Sequence, residues 1–206
     1  KMKKITVLTP TYNDSKSITE TLTSLSSQTY TNWESIIIDD GSTDNTKSII
    51  ENFKKENNLE NKIKYIYQEN KDQLNAILNG LNYITGDYIF VLHSDDLLPS
   101  TDFFEKIIPL IESSNYDAII GDLQIINDSS RVVNCWKALK YRNSKCVPAI
   151  LLLNGGANIY GDVALWKKEI YINHVKNNYL SWNTPFWIDL QDNPKILNVK
   201  TVKIPI

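Results

Sequence analysis

An α/β domain with a mostly parallel central sheet flanked by helices is the fold class this sequence predicts, and three observations predict it. Short apolar runs alternate with amphipathic helical patterns through the first half of the chain, as repeated βαβ units require. The run Ile36-Ile37-Ile38 is continuous rather than alternating, as expected of a central strand covered on both faces. Composition supplies the material, because 42% of the 206 residues are hydrophobic and 22% charged, enough for a sizeable core.

The elements follow in order. Ile5–Leu8 reads as a buried strand. Ile18, Leu22 and Leu25 recur at helical spacing, and Ser17 with Glu20 forms a capping box ahead of them. After the isoleucine strand, Ser42, Thr43 and Asp44 cap a helix bearing Ile49, Ile50 and Phe53. Ile63–Tyr67 is a third strand, and Leu74, Ile77, Leu78 and Leu81 mark a third helix closed by Gly86. Tyr88–Leu92 is a fourth strand, and Ser100 begins a helix carrying Phe103, Phe104 and Ile107. Beyond Tyr116 the pattern becomes mixed. Tyr116–Gly121 and Leu123–Ile126 read as two strands, Asn127-Asp128-Ser129-Ser130 as a turn, and Arg131–Trp136 as its return strand. Val147–Leu153 and Ala164–Tyr171 read as helices, and Ile196–Ile204 as a late strand.

Several function classes are excluded or disfavoured at this level. Lys plus Arg total 22 against 24 for Asp plus Glu, a net charge of −2, which argues against nucleic acid as a partner. Cys135 and Cys146 have no metal-ligand spacing and are too few for a disulfide framework, so reduced thiols in a cytoplasmic protein are expected. No apolar run reaches the ~18–20 residues of a membrane span. Lys1-Met2-Lys3-Lys4 leads into a strand rather than a signal-peptide core, and reads as a scar ahead of a native start at Met2.

Ligands of open parallel sheets bind beyond the carboxyl ends of the strands. Three polar segments end there: Thr9-Pro10-Thr11-Tyr12-Asn13-Asp14, Asp39-Asp40-Gly41-Ser42-Thr43-Asp44 and His93-Ser94-Asp95-Asp96. The second is equally a turn with a helix cap. The adjacent aspartates of the third repel one another at a strand end, a cost that a divalent cation with phosphate ligands relieves.

These segments, with Gln28-Thr29-Tyr30 and Gly86–Asp96, in this order and spacing, resemble family 2 glycosyltransferases over residues 4–110. The resemblance implies a GT-A (Rossmann-like) fold and inverting transfer from a nucleotide-diphosphate sugar, with UDP-sugar as the expected donor. It implies a single domain over 1–206, with a nucleotide-sugar-binding half, 4–115, and a smaller mixed acceptor-side half, 116–206. It implies that Pro10, Thr11 and Tyr12 line the nucleotide pocket with Tyr12 against the base, that Asp40 accepts from the uracil imide, and that Asp39 supports the loop. Lys71, Asp72 and Asn75 stand where such enzymes place contacts to base or diphosphate, though Lys71 reads equally well as a solvated loop lysine. Ser94 and Asp95 fall in the donor site. Asp96 is assigned to direct Mn²⁺ or Mg²⁺ coordination and Asp95 to ribose or a water-mediated metal contact, roles that could be exchanged. His93 replaces the usual first Asp of the DxD motif and reads as a neighbour rather than a ligand.

An inverting transfer needs a base for the acceptor hydroxyl. The resemblance places Asn183 where that carboxylate belongs, and an amide cannot serve. Asp189 and Asp162 are the other candidates. Gly155-Gly156-Ala157-Asn158 resembles the flexible segment beside the acceptor site, and one or two of the aromatics of the second half, such as Trp136, Trp166, Trp182 and Trp187, would stack on sugar. The implied partners are the donor and a glycan, lipid-linked or protein acceptor in polysaccharide or glycoconjugate synthesis, with peripheral association at the inner membrane face. The competing reading is a nucleotide-sugar-binding protein without turnover, motivated by Asn183. A nucleotidyltransferase is a third, but the basic glycine-rich loop those enzymes use after strand one is missing.

Overall fold

The computed structural model describes residues 2–113, 116–127, 129–136, 144–146, 164–174 and 197–205. The first half contains β1 (Ile5–Thr11), α1 (Ile18–Ser26), β2 (Trp33–Asp39), α2 (Thr46–Glu56), β3 (Ile63–Tyr67), α3 (Gln73–Gly80), β4 (Tyr88–Val91) and α4 (Phe103–Ser113). The second contributes β5 (Ala118–Ile126), β6 (Val132–Trp136), β7 (Ser144–Cys146), β8 (Ala164–Lys167), α5 (Lys168–His174) and β9 (Leu197–Pro205). The strand order is β3-β2-β1-β4-β8-β5-β9-β7, with β6 paired to β5. β1 to β4 are mutually parallel, while β8 lies antiparallel between β4 and β5. The mostly parallel sheet with flanking helices and a mixed second half is therefore the predicted class.

The pleat sorts the side chains into two cores. Ile5, Val7, Ile37, Phe90 and Leu92 pack under α1, α2 and α4, whereas Leu8, Ile36, Ile38, Ile89 and Val91 pack under α3 and α5. Alternation within Ile36-Ile37-Ile38 places isoleucine on both faces, which is why that run is continuous. Under α4, Phe90, Phe103 and Phe104 pack edge-on or tilted, with centroids 5.4–6.0 Å apart.

Four local expectations are corrected. Ser17 occupies the N-cap of α1 but its side chain makes no capping bond, and its backbone is already helical, so the capping box does not form. Gly86 does not close α3, which ends at Gly80 and a short 3₁₀ turn. Gly86 instead lets the chain pass β1, because a Cβ there would lie 2.7 Å from the Thr6 amide nitrogen and 2.9 Å from the Lys4 carbonyl. Ala118–Ile126 is one strand rather than two; its pairing with β9 shifts register between Ile120 and Asp122, and Gly121-Asp122 reads in sequence as a break. Ala164–Lys167 is strand, and only Lys168–His174 is helix, because the sheet has a vacancy between β4 and β5 that the apolar start of this segment fills. Val147–Leu153 lies outside the described residues. Among the described residues, no helix is long and apolar enough to cross a membrane.

The amino edge of the sheet is tied by one carboxylate. Glu34 accepts from Lys4 Nζ (2.6 Å), Thr6 Oγ1 (2.6 Å), and Thr85 N and Oγ1 (2.8 and 2.7 Å). Burial opposes the charge of Glu34, but these four donors outweigh it and hold the carboxyl below its ordinary range. A depressed folded value contributes stability above the unfolded value and loses it as pH falls through the folded one. Glu34→Gln is therefore expected to cost about 2 kcal/mol at neutral pH and to flatten the acid limb of the stability curve below about pH 4.5. Urea melts from pH 3 to 7 check this, and parallel curves for both proteins would refute it.

Candidate functional site

Unequal strand lengths open the site. β4 pairs with β1 only from Ile5 to Leu8, and one further bond, Leu92 N to Leu8 O (2.9 Å), extends the ladder. β1 runs on to Thr11, so its last residues leave a notch beside the β4 end. There the chain makes a turn closed by Asp96 N to His93 O (3.1 Å). A cavity of about 320 Å³ occupies the notch, a volume within the range of small-molecule sites. Pro10, Thr11, Tyr12 and Asp14 form the β1 wall, and His93, Ser94 and Asp95 the β4 wall. Asp40, Asn70, Asp72, Gln73 and Ala76 complete it.

Each wall is held by side chains that sequence reading singled out. Asp40, 5% exposed, accepts from Gln68 Nε2 (2.7 Å), Lys71 N (2.9 Å) and Asp72 N (2.9 Å). Three of its roughly four acceptor positions are thus spent on the 68–72 loop, leaving one for a ligand. Asp39 is fully buried; Ser42 N donates to its Oδ1 (2.7 Å) and Tyr65 Oη to its Oδ2 (2.6 Å). Burial, followed by the bond to Asp39, raises the Tyr65 phenol well above its ordinary value, so it stays a neutral donor.

Asn13, at φ 56°, accepts from Thr43 N (2.8 Å) and Asp44 N (3.3 Å), joining the β1 and β2 loops. Asp44 accepts from Thr46 Oγ1 (2.6 Å) and N (3.0 Å) and from Ser15 N (3.1 Å); the Thr46 hydroxyl leads the causes that hold its carboxyl far below the usual range. Asp44 is the working cap of α2, although Asn45 is its N-cap residue. Gly41, at φ +87°, brings the β2 loop against Asn70, where a Cβ would come within 2.9 Å of the Asn70 nitrogen.

The predicted set is only partly brought together. Pro10, Thr11, Tyr12, Asp40, Ser94 and Asp95 line the cavity, and Asp39 lies behind it. Tyr12 is half exposed, free to offer its ring. Lys71 and Asn75 instead line a separate depression with Asn79 and Asn82 on the outer side of α3. Asp95 rather than Asp96 reaches the cavity wall. Gln73 approaches His93 Nδ1 at 3.1 Å across the cavity. Asp14 and Gln73 carry no ligand-contact signal in the sequence, whereas Asp72, which the family resemblance names as a contact to base or diphosphate, does line the cavity. Asp72 also caps α3, accepting from Asn75 N (2.8 Å) at a strained φ of 110°. Trp166 is buried in the core, packed 6.5 Å from Tyr171, and is not among the described residues that line the cavity. Asn183, Asp189, Asp162 and Gly155-Gly156 lie outside the described residues.

Among the described residues no three His, Cys, Asp or Glu side chains cluster as a preformed metal cage. The cavity wall nevertheless carries four aspartates, Asp14, Asp40, Asp72 and Asp95, and no lysine or arginine among its described residues. Mg²⁺ and Mn²⁺ favour oxygen ligands, and Mg²⁺ is commonly held by one or two carboxylates, substrate phosphates and water. The residues present fit a cation that arrives with a diphosphate.

The model of the family described as glycosyl transferase family 2 matches residues 6–175. "Glycosyltransferase GlyA" of Streptococcus pneumoniae is 34% identical over 126 residues, which is 61% of this chain and 18% of that protein. Poly-beta-1,6-N-acetyl-D-glucosamine synthase of Staphylococcus aureus is 30% identical over 173 residues, 83% of this chain and 41% of that one. The crystal structure of S. aureus TarS 1–349 superposes with a TM-score of 0.77 at 19% identity, covering 97% of this chain and 58% of that one, and therefore shares the fold. The same TarS fragment has been solved with UDP-GlcNAc. The chain spans less than half the length of either of these two sequence relatives.

Proposed function

The chain belongs to glycosyl transferase family 2, and on that premise we propose that it transfers a sugar from a UDP-sugar to an acceptor hydroxyl of a growing glycan, with inversion and with a divalent cation. The observation that carries this reading is the notch cavity, which combines an exposed Tyr12, a mostly engaged Asp40 and an Asp95 at the β4 turn. A diphosphate facing four aspartates would be repelled unless a cation came with it. The UDP-GlcNAc complex of TarS and the name of the S. aureus synthase support the donor class and the glycan acceptor.

In this reading Tyr12 packs on the uracil, and the remaining acceptor position of Asp40 takes the imide N–H. Asp95 holds Mg²⁺ or Mn²⁺, with Asp14 and Asp72 within the same wall. When bound, the cation supplies charge neutralisation of the departing diphosphate as a Lewis acid. The acceptor oxygen forms a bond to the anomeric carbon as the bond from that carbon to the phosphate oxygen breaks, and a base takes the acceptor proton. Residues 4–115 form the donor half and 116–206 the acceptor side, where Asp189 or Asp162 supplies the base.

Calorimetric titration of UDP with and without Mn²⁺ tests the donor site. Wild type is expected to bind UDP with Mn²⁺ and at least about tenfold more weakly without it, and Asp95→Ala to lose most of the metal-dependent gain. No UDP binding under any metal condition would sink the reading.

A further inference from the structure

Asp14 lines the cavity and is also where the two halves of the notch are joined. Its Oδ2 accepts three bonds, from Thr11 Oγ1 (3.2 Å), from Tyr12 N (3.2 Å) and from the Ser94 hydroxyl. The first two come from the last residue of β1 and the residue after it, and the third from the middle of the β4 turn, 80 residues away. Ser94 is 3% exposed and is held from its other end as well, since its carbonyl accepts from Thr21 Oγ1 of α1 (2.9 Å). Asp95 follows directly, exposed, with no hydrogen bond or ion pair of its own side chain among the described residues. Its direction is therefore set by its backbone, which is held by the bonds of Ser94 together with the turn-closing bond from Asp96 N to His93 O.

We infer that Asp14 is a positioning residue that fixes the placement of Asp95 through Ser94, and so sets how much divalent cation is needed for donor binding. The inference rests on the donor-site reading above. A hydroxyl donating to a carboxylate is about twice as strong as a neutral pair, which suits a single bond that must hold a turn. Three donors on one oxygen also leave the carboxylate little rotational freedom. Asp14 acts from behind a ligand in the manner of partners that orient metal-binding side chains, whose loss costs roughly 10–100-fold in metal affinity.

The test is UDP calorimetry at a series of Mn²⁺ concentrations with wild type, Asp14→Ala, Asp14→Asn, Ser94→Ala and the Asp14→Ala/Ser94→Ala double variant. Asp14→Ala is expected to raise the half-saturating Mn²⁺ concentration about tenfold. Ser94→Ala removes the same bond from the other side and is expected to match it, with the double variant no worse than either single change. Asp14→Asn keeps an acceptor oxygen and is expected to recover most of the affinity. An unchanged Mn²⁺ dependence in Asp14→Ala and Ser94→Ala overturns the inference. So does an Asp14→Asn as damaging as alanine beside a harmless Ser94→Ala, which would make Asp14 a direct charge ligand. Failure of wild type to bind UDP at all would instead remove the donor reading itself, and this inference with it.

Discussion

Asp40→Ala is expected to weaken UDP binding by about 100-fold, ~2.7 kcal/mol, and to lower the melting temperature by roughly 5 °C. The buried carboxylate accepts two backbone amides, those of Lys71 and Asp72, and the Gln68 side chain. Alanine leaves those amides without a partner at a cost of roughly 1–3 kcal/mol each where they stay buried. The chain has a cheaper response, because Asp72 sits at φ 110° only while the loop is held. The loop is thus expected to relax rather than tolerate the loss, carrying Asn70, Asp72 and Gln73 away from the cavity. That partition explains why binding should suffer more than melting. Asp40→Asn keeps one acceptor but turns an amide donor toward a backbone donor, and is expected to fall between the two. Calorimetry and thermal melts on the same preparations check both numbers, and wild-type UDP affinity in Asp40→Ala would remove Asp40 from the site.

The second large effect belongs to the core behind the site. Phe104→Ala is expected to cost about 4 kcal/mol, or roughly 10 °C in melting temperature. Phe104 is fully buried, 6.0 Å from the Phe90 ring at 77° and 5.4 Å from Phe103 at 44°. The two remaining rings, Phe90 and Phe103, cannot close over a vacancy of that size without disturbing β4, whose last residues lead into the His93 turn. The half-exposed Tyr67 offers the contrast, and Tyr67→Ala is expected to change stability by less than about 0.5 kcal/mol. Equal effects in denaturant melts would show that the core is not where the burial pattern places it.

How much of this was legible follows from how local each cause is. β1 to β4 and their helices announce themselves, since a strand covered on both faces and an amphipathic helix have signatures within a few residues. The β5 and β8 errors have a different origin. Gly121-Asp122 looks like a break in isolation, and only the irregular pairing with β9 carries the strand through it. Ala164–Tyr171 satisfies a helical pattern, and its first four residues become strand because β4 and β5 each offer an open edge. The same distinction applies to the site. Asp39, Asp40 and Asp95 stand in recognisable strand-end segments, whereas Asp14 matters through Ser94, a partner no spacing rule connects to it. The family resemblance assigns Lys71 and Asn75 to the nucleotide, but Lys71 in the loop before α3 and Asn75 in its first turn line a depression separate from the cavity.

The antiparallel strand between β4 and β5 has a further consequence for how the protein comes into being. Tyr88–Val91 is buried throughout, and one of its two edges is completed only by residues 164–167. A nascent chain therefore carries a finished first half with one raw, wholly apolar margin until translation has moved on by more than seventy residues. Closing that gap demands a long-range pairing, the kind that slows folding and leaves intermediates open to association. Polypeptides ending before residue 164 would keep the donor cavity's strands yet expose the template for edge-to-edge aggregation. The second half thus guards the solubility of the first, a duty separate from any contact it makes with sugar.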